Sequence, residues 1–478
     1  MASRNTEKPN ILFFLTDDQG PWAMGCAGNP EIRSPNLDRL AAEGIRFENF
    51  FCTSPVCSPS RASILTGRIP SQHGVHDFLG KNPALDETRF LEGQPTYIEV
   101  LKKAGYETGL SGKWHLGYAL EPQAGFETWS PMPWGQCDYF HPPIVEENEI
   151  VWHEGSYASD IFTDNALEFL NSQLDTYSPF CLHLHFTAPH TPWEREHHPT
   201  DLWDDYHNNC PLTSVPSHEE PLPEGFFYNF FFRMNEERRR QVLSGYFAAI
   251  EGMDRNVGRV LDWLDEKDLR RNTLVVFMSD NGMNMGHHGL YGKGNATRPQ
   301  NMFDTSVKIP CIISRPGFVP ENRTDSNLLS QYDWLPTLLE YTGFRDHIPQ
   351  GLPGRSFSPL LQGKDIGERE SIFVFDEYGP VRMIRSKEWK LVWRYPGGAH
   401  ELYNLTEDPN ELTNQFLYPG QGERIASMRR EMEEWYSRYV DPRIDGAKLP
   451  VTGLGQVNRA DSKDAFAYRY GEIPPPIK

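Results

Sequence analysis

Asn10-Ile-Leu-Phe-Phe-Leu-Thr16 is a continuous apolar run that ends in two acids, Asp17-Asp18. An apolar run of this length without polar alternation is typical of a strand that is buried on both faces of a parallel sheet. Two further runs have the same character, Pro179-Phe-Cys-Leu-His-Leu-His-Phe186 and Thr273-Leu-Val-Val-Phe-Met-Ser279, and the second ends at Asp280-Asn281. The three runs predict the centre of a mainly parallel sheet.

Apolar residues recur at helical spacing between these strands. Leu37, Leu40 and Ala41 follow a Ser-Pro pair, and the longest such pattern runs from Leu243 to Leu264. Strands that alternate with helices predict an α/β sandwich, a large sheet flanked by helices. Because active groups of such sheets collect at the carboxyl ends of the strands, we expect the acids after the strands to meet at one edge.

The alternation of strands and helices ends near residue 365. Beyond it, short apolar runs separated by Gly, Pro and charged residues predict a smaller antiparallel sheet, followed by a helix; the runs lie at 371–375, 381–384 and 389–393 and the helix at 423–439. We therefore predict a catalytic domain over 1–365, a subdomain over 366–440 and an arm over 441–478. The arm would pack either on the protein itself or on a partner subunit. In the second case the protein would be a homo-oligomer.

Composition restricts the binding partners. The 478 residues include 46 Lys and Arg against 66 Asp and Glu, so the net charge is 46 − 66 = −20. This charge disfavours general binding to nucleic acid or to anionic membranes, which need a basic surface. The sequence has no apolar run near the roughly 18–20 residues of a transmembrane helix. As written, the amino terminus leaves no room for a signal peptide, which predicts a cytoplasmic protein, or a periplasmic or secreted one if a leader has been removed.

The stretch Cys57-Ser-Pro-Ser-Arg61 continues into Leu65-Thr66-Gly67-Arg68. Its proline predicts a turn at Cys57, just ahead of a helix. Taken alone, Cys57 is a small buried residue or a thiolate nucleophile whose pKa is lowered by Arg61 and the helix terminus. None of the seven cysteines forms a Cys-x-x-Cys pair, so we expect neither a disulfide framework nor a zinc site.

Four oxygen-bearing residues follow two of the predicted strands. Each of the pairs Asp17-Asp18 and Asp280-Asn281 is, by itself, a common turn sequence. Together they would deliver three carboxylates and an amide oxygen to one crevice, where the carboxylates repel one another unless a cation is present. Ligation by oxygen alone favours Ca²⁺, or alternatively Mg²⁺, over zinc.

Cationic and imidazole side chains follow other strands. Lys113-Trp-His115 comes after a predicted strand over 108–111, His190 lies on a Pro-flanked turn, and Lys293 stands between two glycines. A lysine and a histidine just beyond a strand can supply a cation for an anionic ester and a base that titrates near neutrality. A lysine in a glycine-flanked loop can approach an oxyanion together with the backbone.

These motifs, in this order, resemble the type I sulfatases of the alkaline phosphatase superfamily, over about residues 9–310. The resemblance implies an alkaline-phosphatase-like core, calcium at the four oxygen-bearing residues, and a formylglycine that a separate maturation enzyme makes from Cys57. It further implies that a hydroxyl of the hydrated formylglycine attacks sulfur and releases the alcohol of a sulfate ester. Arg61 and Lys113 would hold the formylglycine, and Lys113 would also contact sulfate. His115 would remove the proton of the remaining hydroxyl as the hemiacetal sulfate collapses. His190 and Lys293 would bind sulfate and assist the departing oxygen.

The substrate is less specified than the reaction. Polar and aromatic residues near the motifs favour a sulfated carbohydrate, and the candidates for binding it are Trp193, His288, Asn295 and Arg298. Three other functions remain open. They are a formylglycine-dependent phosphonate monoester hydrolase or phosphodiesterase, a catalytically silent binder of sulfated glycans, and a thiol hydrolase that uses unmodified Cys57.

Overall fold

The computed structural model describes residues 8–80, 87–176, 178–229, 234–376, 381–451 and 453–467. Strands β1 to β20 are Asn10–Thr16, Gly44–Phe47, Phe50–Phe51, Glu107–Lys113, Thr128–Met132, Pro143–Glu146, Glu149–Trp152, Phe180–His185, Phe227–Tyr228, Thr273–Ser279, Asn284–Met285, Tyr291–Gly292, Thr297–Arg298, Cys311–Ser314, Arg323–Asp325, Leu329–Ser330, Ser371–Asp376, Val381–Ser386, Trp389–Arg394 and Glu401–Asn404. Helices α1 to α11 are Pro35–Ala42, Cys57–Thr66, Pro70–His73, Tyr97–Lys103, Ala158–Ser172, Thr200–Asn209, Glu236–Glu266, Asp304–Val307, Trp334–Tyr341, Ser358–Leu361 and Gly422–Tyr439.

An eight-stranded sheet forms the centre of the protein, in the order β15-β2-β14-β10-β1-β8-β4-β5. The five strands from β10 to β5 are all parallel, whereas β14 is antiparallel to both of its neighbours. Every residue of β1, β8 and β10 is buried, as their apolar runs predict. The predicted α/β sandwich with a large, mainly parallel sheet is confirmed.

The register of the sheet places the site. In the β1–β10 pair Thr16 lies opposite Ser279, so the chain leaves both strands at the same edge. In the β4–β8 pair Gly112 lies opposite His185 at this same edge. The residues that follow β1, β4, β8 and β10 therefore emerge side by side, which brings together side chains that are far apart in sequence.

The structure differs from the sequence prediction at Cys57. The prediction placed a turn there, ahead of a helix, but Cys57 is itself the first residue of α2. Pro59 is compatible with this geometry because the first residues of a helix have no intrahelical partner for their N–H groups. Gly67 ends the helix with a φ of 66°, in the left-handed region that favours glycine.

A second, smaller sheet of antiparallel strands β17-β18-β19-β20 packs with α11 in the carboxy-terminal part of the chain. The side chains of Phe373 and Trp435 stack at 4.4 Å between ring centroids across this junction. The antiparallel sheet agrees with the predicted fold class, while the domain boundaries at 365 and 440 stay predictions.

Within the described ranges, no helix is both long enough and apolar enough to cross a bilayer.

Candidate active site

Three buried carboxylates and an amide meet beyond β1 and β10. Asp17 and Asp280 have no exposed surface, and Asp18 is 4% exposed. The backbone N–H of Asp18 donates to Asp280 Oδ1 at 3.2 Å, and Asn281 Nδ2 donates to Asp18 Oδ1 at 2.7 Å. Asp17, Asp18, Asp280 and Cys57 each offer one ligand atom, and these atoms all lie within 4.8 Å of one another.

Three cationic side chains pair with these carboxylates. Arg61 donates through Nε to Asp280 at 3.0 Å, and through Nη1 to the carbonyl of Lys113 at 3.0 Å. Lys113 Nζ contacts Asp17, and Lys293 Nζ contacts Asp18. Each carboxylate thus has its own cation, which offsets part of the cost of burying these charges.

The arrangement fits a divalent cation. The donors are carboxylate and amide oxygens, which suit Ca²⁺ or Mg²⁺. The ammonium of Lys293 contacts Asp18 and lies 3.4 Å from Asn281 Oδ1, so oxygens of two of these residues face a single positive centre. Burial and the nearby Asp17 raise the pKa of Asp280 to about 6 despite Arg61, the direction expected where buried carboxylates lie close together.

Cys57 lies inside the same cluster and is 4% exposed. Its Sγ receives a hydrogen bond from Lys293 Nζ at 2.8 Å and lies 3.3 Å from Asp17 Oδ1. Burial, followed by the charge of Asp17, raises the pKa of the thiol well above its usual value. An unmodified Cys57 is therefore held as the thiol, which disfavours the thiolate hydrolase considered above.

His115 presents one bare ring nitrogen to the buried interior. Its Nε2 lies 2.8 Å from the carbonyl oxygen of Leu79. Because a carbonyl only accepts, Nε2 carries the proton in the neutral ring and Nδ1 has a free lone pair. That Nδ1 is buried and has no hydrogen-bond partner among the described residues. Burial, and then Lys113, hold the pKa of His115 well below its usual value, which favours the neutral imidazole with its lone pair on Nδ1.

His190 follows β8 on the turn that the sequence predicts. Its Nδ1 donates to the carbonyl of Thr191 at 2.8 Å, and its Nε2 lies 3.6 Å from Asp18 Oδ2. Burial lowers the pKa of His190 to about 4, although Asp18 acts to raise it. The orientation leaves Nε2 as the nitrogen that faces the carboxylate cluster.

The four candidate substrate residues lie in different surroundings. Asn295 and Arg298 are on the loop after Lys293, where Asn229 bridges them by accepting from Arg298 Nε at 3.2 Å and donating to the Asn295 carbonyl at 3.0 Å. Asn295 is half-buried and Arg298 is exposed. Both lie close in sequence to Lys293, and their contact with substrate stays a prediction.

Trp193 and His288 are packed inside the protein. Trp193 is 3% exposed, and its Nε1 donates to the carbonyl of Pro189 at 2.8 Å, which ties it to the turn that carries His190. His288 stacks on Phe303 with 3.7 Å between ring centroids. The sequence prediction placed both side chains on the substrate; both are buried in the structure, and their contact with substrate stays a prediction.

A wall of the site comes from residues 134–139, which the sequence analysis did not single out. A Cβ placed on Gly135 would lie 2.5 Å from Cε1 of His115, so the glycine touches the imidazole. Tyr139 donates through its hydroxyl to the carbonyl of His190 at 2.7 Å. This segment has no recognisable motif, and its role follows only from the fold.

A buried hydrogen-bond chain lies behind Lys113. His185 Nδ1 is 3.0 Å from the Lys113 carbonyl, His183 Nδ1 is 2.9 Å from His185 Nε2, and the Tyr97 hydroxyl is 3.0 Å from His183 Nε2. Since the carbonyl accepts, the protons are ordered in one direction from Tyr97 to Lys113. The alternation His-Leu-His on a strand was the available sequence signal, because residues two apart point to one face.

Comparison with known proteins identifies the family. The family model named Sulfatase matches residues 9–344, which is more than half of the chain. The chain belongs to the sulfatase family. A second family model, the carboxy-terminal part of N-sulphoglucosamine sulphohydrolase, matches residues 286–438. The predicted resemblance is confirmed, and the protein is a sulfuric ester hydrolase.

Individual relatives extend over nearly the whole sulfatase chain. An N-acetylglucosamine-6-O-sulfatase of Bacteroides thetaiotaomicron is 29% identical, and the alignment covers 91% of this chain and 88% of the relative. A solved structure of a protein in complex with its substrate D-glucosamine-2-N,6-O-disulfate has a TM-score of 0.74 and 28% identity, with 92% of this chain and 99% of the other covered. The solved structure of the putative sulfatase YidJ of Bacteroides fragilis has a TM-score of 0.79 and 25% identity, with 94% of this chain and 99% of the other covered.

Proposed function

We propose that this sulfatase hydrolyses a sulfate ester of a carbohydrate, with water as the co-substrate and the free sugar hydroxyl and sulfate as products. The observation that carries the proposal is the single buried cluster in which Cys57 touches Lys293 and Asp17, with Arg61 and Lys113 beside them. Several fixed positive groups around one reactive position suit a transition state in which negative charge accumulates on sulfate oxygens.

Each residue of the cluster has a role that its geometry supports. Lys113 and Lys293 would bind sulfate oxygens, and Arg61 would hold residue 57 and Asp280 in place. His190 would act as the proton donor only in its imidazolium form, which the nearby Asp18 favours; Nδ1 then keeps its bond to the Thr191 carbonyl and Nε2 donates to the departing sugar oxygen. His115 would accept a proton at Nδ1, the only ring nitrogen that the Leu79 carbonyl leaves free. The poor leaving group of an alkyl sulfate makes such a proton donor valuable.

Two groups complete this chemistry in the proposal. A formylglycine made from Cys57 by a maturation enzyme would supply a hydrated aldehyde whose hydroxyl attacks sulfur. A calcium ion, or alternatively magnesium, would be held by Asp17, Asp18, Asp280 and Asn281 and would polarise a sulfate oxygen. Calcium is preferred because the oxygens come from a crowded, all-protein set, whereas magnesium usually keeps several waters.

The carbohydrate part of the proposal is supported by aromatic side chains next to His115. Trp134 precedes Gly135, the glycine that touches the imidazole. The ring centroids of Trp134 and Trp152 are 5.5 Å apart. Trp152 is 40% exposed and stacks on His141 at 4.8 Å. Exposed aromatic faces suit the C–H face of a sugar ring. The names of the relatives make a 6-O-sulfated amino sugar the first substrate to test.

A panel of defined esters tests the proposal. Sulfate release is measured for 6-O-sulfated glucosamine and galactosamine derivatives, sulfated disaccharides and choline sulfate. Release of the aryl alcohol is measured for a matched pair of aryl sulfate and aryl phosphonate esters. We expect the highest kcat/KM for a sulfated sugar. Dominant turnover of the phosphonate would instead favour the phosphonate monoester hydrolase, and binding of sulfated sugars without turnover by modified protein would favour the silent binder.

A further inference from the structure

Gln456 is a fully buried residue on the carboxy-terminal arm, and its side chain hydrogen-bonds to a segment next to the active site. We call this segment, residues 74–79, the rim segment. Gln456 Oε1 accepts from the backbone N–H of His76 at 2.8 Å and of Asp77 at 3.4 Å. Its Nε2 donates to the carbonyl of Gly74 at 2.9 Å. One amide group therefore satisfies both donors and an acceptor of the rim segment.

The backbone of the arm makes further hydrogen bonds to the rim segment. Gln456 N donates to the carbonyl of Phe78 at 2.9 Å, and Gly455 N donates to Asp77 Oδ2 at 3.0 Å. Gly455 has a φ of 112°, and a Cβ there would come within 3.1 Å of the Phe78 ring. Glycine is thus needed for the close approach, and the rim segment has little freedom to shift while the arm is in place.

The far end of the rim segment touches the reaction centre twice through Leu79. Its N–H donates to Ser58 Oγ at 3.1 Å, and Ser58 is the neighbour of Cys57 in α2. Its carbonyl accepts from His115 Nε2 at 2.8 Å. This acceptor fixes the proton of the neutral imidazole on Nε2 and so keeps Nδ1 as the free base. Moving the Leu79 carbonyl would release the ring and remove the reason for that tautomer.

We infer that Gln456 is a positioning residue for the sulfatase reaction. It acts through the rim segment and the Leu79 carbonyl, which together set the orientation and tautomer of His115. The inference rests on the role proposed above for His115 as proton acceptor. It places a determinant of turnover 377 positions beyond the rim residue Leu79 in the chain, on an arm whose described residues contribute no group to the site.

The first experiment replaces the amide of Gln456 with an apolar group of similar length, Gln456→Met. A displaced histidine weakens proton transfer more than substrate binding, so we expect kcat to fall about 10-fold or more, with KM little changed. Asn458→Ala is the matched control. It lies two residues further along the same arm, and its side chain hydrogen-bonds to Asp464 and to the N–H of Arg459 rather than to the rim segment. We expect this control to retain wild-type kcat.

A double-mutant cycle separates positioning from general damage. In a His115→Ala background, Gln456→Met should cause no further loss of kcat, because the residue through which it acts is gone. The same fold-loss in both backgrounds would overturn the inference. A His115→Ala variant with wild-type kcat would instead overturn the proposed role of His115, so the two failures are distinguishable.

A second readout does not depend on the formylglycine. Amide hydrogen exchange, followed by mass spectrometry on protein with unmodified Cys57, should show faster exchange over 74–79 in Gln456→Met than in the wild type. Exchange in β17–β20 should be unchanged. Unchanged exchange over 74–79 would overturn the inference.

If Gln456→Met does not fold, Gln456→Glu keeps the acceptor for His76 and Asp77 but loses the donor to Gly74. It is expected to give a smaller loss of kcat, and wild-type kcat in that variant would also overturn the inference.

Discussion

Lys293 donates through Nζ to Sγ of Cys57 at 2.8 Å, and the same ammonium contacts Asp18. One side chain thus joins the reactive position to the carboxylate ring. The loop that carries Lys293 is tied down locally, because Asn301 donates through Nδ2 to the carbonyl of Lys293 at 3.0 Å. The cation at residue 57 is therefore positioned by the fold rather than by the substrate.

Replacement of Cys57 by alanine should abolish turnover while preserving the fold. The side chain is small and lies in the first turn of α2, where alanine is well tolerated. We expect kcat to fall by more than about 10³-fold, as is typical for the loss of a nucleophile. Thermal unfolding and far-UV circular dichroism should stay close to wild type. Residual turnover near the wild-type value would exclude any reaction at position 57.

Gly135→Ala should damage catalysis through His115 alone. The added Cβ would lie 2.5 Å from Cε1 and 2.8 Å from Nε2 of the imidazole, so the ring must move. A displacement of this size can cost on the order of 10²-fold in kcat. Gly397→Ala is the control, because a Cβ at Gly397 meets no atom within 4 Å. Equal kcat in the two variants would contradict the placement of His115 at the reacting centre.

Metal removal should lower both activity and stability, and calcium should restore them. A ligand bound only by the folded state, at a hundredfold excess over its Kd, adds about 2.7 kcal/mol to the free energy of unfolding. Thermal unfolding of chelator-treated protein should therefore shift upward on addition of Ca²⁺. Asp280→Asn should remove most of that shift, whereas Asp164→Asn, on an exposed surface residue, should retain it. An equal shift in both variants would place the ion elsewhere.

Acid should destabilise the fold between pH 6.5 and 5 through buried neutral histidines. Burial lowers the pKa of His183 to about 3, so the unfolded chain binds a proton in this range that the native state does not. The stabilisation is complete above the pKa of His183 in the unfolded chain, and it is lost as the pH falls toward the pKa of His183 in the folded state. Each such histidine adds a slope of at most about 1.4 kcal/mol per pH unit. Urea unfolding at several pH values should give a shallower slope for His183→Gln than for wild type; identical slopes would refute this assignment.

The sequence predicted those parts of the structure that depend on local pattern. The runs that became β1 and β10 have their predicted ends, and the acids after them meet because parallel strands end at one edge. The α/β fold and the family followed from such patterns and motifs. Cys57 was placed in a turn because proline usually interrupts helices, whereas the first helical turn accepts it.

The remaining parts depend on contacts between distant residues. Gly135 touches His115, and Gln456 holds the rim segment, but neither residue belongs to a periodic pattern or a motif. His288 is a histidine in a glycine-rich loop, where the sequence does not reveal whether the ring faces the substrate or a neighbouring phenylalanine. Side-chain direction in irregular segments is set by tertiary packing, so these assignments needed the structure.

The central claim is that this sulfatase acts through a residue derived from Cys57. Mass spectrometry of the peptide that carries residue 57, from preparations that differ in specific activity, tests it most directly. We predict that sulfate release from a sulfated sugar rises in proportion to the fraction of peptide that has lost the thiol and carries an aldehyde or its hydrate. Full activity in a preparation whose Cys57 is entirely unmodified would contradict the account.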